Sequence, residues 1–174
     1  MNPWTVCLLM LLAFAGWTVL CNCLRAKVRI AVNVILFCVS AAIILHATLL
    51  SRTPGTYAAV LTPFAALAAA RQQPELYREM LMNVFLFFPL GLTMSNALPR
   101  KWHRWLRIAL TALTSCVLSA GIEYAQYRFA LGMAETDDVI CNTLGAFVGA
   151  SSLLLAHAME KHKERPTTMT LTAT

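Results

Sequence analysis

Eight polar side chains stand out in an otherwise apolar sequence, and their types suggest the chemistry open to them. Glu79, Glu123, Asp137 and Asp138 supply carboxylates, Asn83, Gln126 and Asn142 supply amides, and Arg52 supplies a cation. Together such groups can accept and donate hydrogen bonds to a polar headgroup. Two carboxyls held in different surroundings can also divide acid and base work. Oxygen ligands would suit calcium or magnesium, but the spacing resembles no dedicated metal loop, so neither metal nor cofactor is expected. Histidine adds little, since only His46 approaches the acids in the order of the chain.

Spacing groups these residues onto helix faces. Ser115, Ser119, Glu123 and Gln126 fall at i, i+4, i+8 and i+11, a single stripe that should face protein. Asn83 lies one turn beyond Glu79, and Asn142 one turn beyond Asp138, with Gly145 and Gly149 on the same stripe. An asparagine in a membrane helix often only bonds to a neighbouring helix, at about 0.6 kcal/mol. Glu123 is different, because an acidic group at mid-membrane costs about 2.5–3.5 kcal/mol, and less toward the interface. Asp137 and Asp138 follow Thr136 at a helix start, so at least one is expected to be a cap. Asp138 shares the face of Asn142 and is the stronger candidate for the site. Gly145 and Gly149 read as close-packing positions, while Pro89 and Gly91 are expected to kink or loosen their helix.

The elements that must carry these groups follow from composition. The chain has 174 residues, 59% hydrophobic and only 13% charged, against about 25% charged in a typical soluble domain, with mean hydropathy +0.64. That excludes a secreted disulfide miniprotein, a disordered regulator and a free cytosolic enzyme, and it predicts an all-α, polytopic transmembrane helix bundle. The net charge of +6 does not point to nucleic acid, because the basic residues sit in short clusters between apolar runs. Those runs predict spans at 1–24, 30–50, 80–98, 106–127 and 139–159. Six cysteines are expected to stay free, as most fall singly inside spans.

Positive charge sets the expected orientation. With five spans, ten of the fourteen basic residues gather on one side; a sixth span at 53–70 would reduce this to eight against six. Five spans, an outside N-terminus and a cytoplasmic C-terminus are therefore expected. The stretch 53–70 becomes an outer-surface or re-entrant helix, and all eight polar residues lie near the outer ends of the spans. Three regions result: residues 1–50 with two helices, a core at 51–159 with three helices and an outer loop segment, and a disordered cytoplasmic tail at 160–174.

Three stretches carry a resemblance. Asn83-Val84-Phe85-Leu86-Phe87-Phe88-Pro89-Leu90-Gly91, Glu123-Tyr124-Ala125-Gln126 and Asp137-Asp138-Val139-Ile140-Cys141-Asn142-Thr143-Leu144-Gly145-Ala146, with Ser51-Arg52-Thr53-Pro54, closely resemble the signature of the VanZ-like family of bacterial membrane proteins. The resemblance implies a multi-pass envelope protein whose named member lowers susceptibility to teicoplanin, a lipid-bearing glycopeptide, without replacing the wall precursor. No biochemical activity comes with it. Three classes follow: a non-catalytic protein presenting an acidic, amide-rich outer-leaflet site to membrane lipid, a lipid-bearing glycopeptide or a lipid-linked wall precursor; an enzyme on a lipid-linked substrate; and a transporter. The last fits least, since the inner half of the fourth span is almost wholly apolar whereas transporters place their sites near the midplane.

Overall fold

The computed structural model describes residues 3–55 and 57–163. Its elements run α1 (Pro3–Cys23), α2 (Ala26–Leu45, continued by a π-helical turn, His46–Leu50), β1 (Ala58–Val60), α3 (Ala65–Ala69), α4 (Pro74–Ala97), α5 (Arg104–Arg128), β2 (Met133–Glu135), α6 (Thr136–Ala150) and α7 (Ser152–Lys163). Four stretches are long and apolar enough to cross a membrane: Ala26–Leu50, Glu75–Ala97, Arg104–Arg128 and Thr136–Ala158. In α1 the corresponding stretch among the described residues, Leu12–Cys21, is shorter. The tail predicted as disordered lies, from residue 164 onward, outside the described residues.

One apolar core holds the four long stretches together. Ile44 from α2, Phe87 and Leu90 from α4, Ile122 from α5 and Ala146 from α6 are buried against one another. Outward-facing Ile35, Ile43, Leu113 and Val117 remain exposed, as expected where lipid replaces water as the solvent. The closest approach is between α4 and α6. A Cβ added at Gly91 would run into the backbone of Ala146, one at Gly145 into the carbonyl of Val84, and one at Gly149 into the backbone of Phe88 and Leu92. Only hydrogen fits at these three positions.

Local chemistry explains the helix ends. α4 starts with Pro74 in its first turn, where the missing N–H costs nothing, and Glu75 there suits the positive end of the helix dipole. It continues through Pro89 without interruption, and Thr93 bonds back to the Pro89 carbonyl at 2.8 Å. Its final carbonyls are met by two buried arginines. Arg29 of α2 donates to Asn96 O, and Arg107 of α5 donates to Ser95 O through Nε at 3.2 Å and Nη2 at 2.6 Å. Cations at a helix C-terminus satisfy orphan carbonyls and complement the dipole.

Two expectations change. The fifth span is two helices with a junction at Ser151, whose hydroxyl bonds back to Phe147 O at 2.8 Å, a contact that bends helices. The stretch 53–70 does not form one surface helix. It forms β1, then the single-turn α3, and β1 pairs in parallel with β2, placing Ala58 opposite Met133 and Val60 opposite Glu135. This strand pair joins the loop after α2 to the loop after α5, and Gly55 N bonds to Ala130 O at 2.6 Å beside it.

Candidate functional site

Alternating helix directions bring the end of α2, the start of α4, the end of α5 and the start of α6 to the strand-pair end of the bundle. The stripe on α5 is buried there: Ser115, Ser119, Glu123 and Gln126 all face protein, with Glu123 only 7% exposed. Glu123, Gln126 and Ser119 each bond to another element, while the buried Ser115 hydroxyl has no partner among the described residues. Glu123 Oε2 accepts the backbone N–H of Glu135 at 2.9 Å, and Gln126 Nε2 donates to Thr48 O at 3.0 Å. Thr48 belongs to the last turn of its helix, whose carbonyls lack intrahelical donors. Asn83 Nδ2 donates to Asp138 Oδ1 at 2.6 Å, and Asn142 Nδ2 donates to Ser119 Oγ at 2.8 Å. Asn142 Oδ1 is buried and has no partner among the described residues.

Asp137 departs from expectation. The residue preceding α6 is Glu135, which makes no side-chain cap, and Asp137 does not cap its own helix. Its carboxylate reaches instead to the backbone at α3, accepting from Phe64 N at 2.5 Å and Ala66 N at 2.7 Å. Phe64 is held there in a left-handed conformation with φ 63°, which a non-glycine residue adopts only when its surroundings fix it. Glu79 is exposed and makes no hydrogen bond among the described residues, though its charge acts on Asp138 and Glu135. Arg52 is also exposed; its guanidinium lies against Gly132, and its charge acts on both Glu123 and Asp138 without a hydrogen bond to either. The structure thus gathers Asn83, Glu123, Asp138 and Asn142 at the α4–α5–α6 junction and turns Gln126 and Asp137 toward other elements.

Glu123 also reaches an open cleft of about 460 Å³ between α5, the strand pair and the start of α6. Ala59, Leu61, Ala120, Tyr124, Tyr127 and Val139 form walls that are largely apolar, and Glu135 and Thr136 add polar groups beside Glu123. Burial, together with the charges of Asp138, Asp137 and Glu79, pushes the Glu135 carboxyl above its ordinary pKa. An apolar cleft with a few convergent polar groups suits a molecule that has both an apolar chain and a polar head.

A family model described as VanZ/LLP1 matches residues 5–157. The chain belongs to the VanZ/LLP1 family. It is similar to Protein VanZ of Enterococcus faecium, at 36% identity over 89 residues that make up 51% of this chain and 48% of that protein. The aligned stretch thus spans about half the length of the curated relative. No solved structure matches the chain.

In this VanZ/LLP1 protein, long apolar helices and family membership together identify a membrane protein. Sequence reasoning missed the cleft walls. Tyr124 and Tyr127 were legible in principle, since tyrosines concentrate at membrane interfaces and both adjoin Glu123 on α5. Ala59 and Leu61 carried no such signal, because a strand of three residues has too short a pattern to read. Arg29 and Arg107 enter the sequence reading only through the charge count that sets orientation, yet both are buried and bond to the end of α4.

Proposed function

We propose that this VanZ-like protein is a non-catalytic component of the bacterial cell envelope. It holds the polar part of a lipid-bearing molecule at the outer leaflet and so lowers susceptibility to lipid-bearing glycopeptides such as teicoplanin. One observation carries the reading: a nearly buried carboxyl, Glu123, sits on an apolar-walled cleft at the end of the bundle opposite most of the basic residues. By the charge bias that orients membrane proteins, that end faces outward. An acyl chain would lie along Leu61, Ala120 and Val139, while hydroxyl, amide or amine donors of the headgroup would meet Glu123 and Glu135. A carboxyl kept in a membrane helix at this cost is a functional group by default.

The test compares inhibitory concentrations of teicoplanin and of a glycopeptide without an acyl chain, in cells with and without the protein. Protection should be larger against teicoplanin, should vanish in Glu123→Gln and Asp138→Asn at near-normal membrane abundance, and should leave wall precursors unchanged by mass. Equal protection against both drugs, or full protection by both variants, would overturn the reading.

A second reading, an enzyme on a lipid-linked envelope substrate, is favoured by the proximity of two carboxyls across the α5–α6 junction, where the Asp138 charge acts on Glu123. Carboxyls so coupled can hold their protons differently and act as acid and base. Turnover of a purified lipid-linked headgroup, lost in either variant, would select this reading over the first.

A further inference from the structure

The opposite end of the bundle holds a second cavity, of about 410 Å³, enclosed by the end of α4, the turn at 98–103, the start of α5 and α7. Arg100, Lys101, Arg104 and Arg107 line it, and among the residues whose side chains are described no carboxylate does. Arg107 is only 6% exposed. Its Nε and Nη2 donate to Ser95 O, and Nη1 makes no hydrogen bond to another described residue. Leu153 and Ala156 add an apolar side, and Trp102 borders the opening, half in solvent.

The start of α5 is chemically unfinished. A helix of 25 residues presents several N–H groups without intrahelical acceptors and a positive dipole end, both of which are normally answered by a capping side chain or an acid in the first turn. Here His103 makes no side-chain cap, the first turn contains no acid, and Arg104 and Arg107 add positive charge to the positive end. Arginine and lysine so clustered, next to free backbone N–H groups, form a receptor for an anion with several oxygens. Its size and its apolar side match a headgroup with the glycerol behind it, at the depth where Trp102 and Trp105 mark the interface.

We propose that this cavity is a binding site for a phosphate group, carried by an anionic phospholipid of the leaflet opposite the Glu123 cleft or free in solution. The phosphate oxygens accept from Arg104, Arg107 Nη1 and the first-turn N–H groups of α5, and Lys101 closes the opening. The site is separate from the Glu123 cleft and does not depend on the function assigned there.

The test uses the full chain in nonionic detergent, with native mass spectrometry counting retained lipids and thermal unfolding as a second readout. Dioleoyl phosphatidylglycerol and dioleoyl phosphatidylcholine are added in competition, and inorganic phosphate is titrated separately. One phosphatidylglycerol should be retained with about tenfold preference over phosphatidylcholine, equivalent to about 1.4 kcal/mol, and should raise the unfolding midpoint. A midpoint raised by inorganic phosphate alone, with displacement of the lipid, identifies the free anion as the ligand. A preference untouched by millimolar phosphate identifies the phospholipid. Lys101→Ala with Arg104→Ala, both outside the buried core, should remain folded by gel filtration and abolish binding. Equal retention of the two lipids with no effect of phosphate, or unchanged binding by the double variant, would overturn the proposal.

Discussion

Asn83 on α4 donates its amide hydrogen to Asp138 on α6 at 2.6 Å, so the site's second carboxylate is held by a helix distant in sequence. Asn83→Leu removes the donor and strands a carboxylate, which should cost about 1–3 kcal/mol or more. Asp138→Asn keeps an acceptor oxygen and loses only the charge. We expect Asp138→Asn to unfold near the wild-type temperature in detergent and Asn83→Leu well below it. Equal losses in both would assign the pair to structure alone.

The glycines between α4 and α6 give a sharper expectation. Gly145→Ala and Gly149→Ala place a methyl group into facing backbone and should destabilise by about 1–3 kcal/mol each, as overpacking does, with lower membrane abundance. Gly121→Ala, in open space on α5, should be neutral or stabilising by about 0.5–1 kcal/mol. Quantifying the three variants in the same membranes checks both directions.

Asp137→Ala should act locally. Losing two charge-assisted bonds, at about 1.5–3 kcal/mol each, releases Phe64 and Ala66 without touching the core that joins the long helices. Trypsin should then cut at Arg71 faster, while the remaining helix content by circular dichroism stays the same.

Glu135 predicts a pH dependence. Its carboxyl titrates higher in the folded protein than in the unfolded chain, so the folded form binds the extra proton. This group therefore favours folding most at low pH, and that contribution is lost as pH rises from the ordinary carboxyl range through the raised value. Glu135→Gln should unfold at a higher temperature than wild type near pH 7, and the difference should shrink below about pH 4.3. A difference that grows on acidification would reverse the sign.

Orientation is checked by labelling cysteines from outside in a background without native cysteines. Arg78→Cys should react in intact cells and Lys101→Cys only after permeabilisation, as the ten-to-four distribution of basic residues requires. The reverse pattern would move the Glu123 cleft to the cytoplasmic face.

The long helices were legible because lipid demands long charge-free runs, and the Ser115–Gln126 stripe because helical spacing places it on one face. Bonding partners were not. Nothing near Asp137 in sequence announces Phe64 and Ala66, and the Ala58–Ala59–Val60 run resembles neither an alternating strand nor a helix until Met133–Glu135 lies beside it. The Ser151 junction has no proline to signal it, and Gly149 beside it reads as a close-packing position. Arg29 and Arg107 look like any interfacial charge until the end of α4 is seen to need their hydrogen bonds.

The bonds from Asp137 to the α3 turn join residues up to 73 positions apart, and the strand pair spans a similar separation. At about 5–20 residues per second, a ribosome that has finished the first loop needs roughly 4–15 s more to make the residues that secure it. During that interval Leu61 and Phe64 have no strand or carboxylate from this chain to hold them. The loop beside the cleft is thus secured only once synthesis has passed α5 and β2, and a chain halted after α5 would carry three of the four stretches long enough to span the membrane while leaving that loop open.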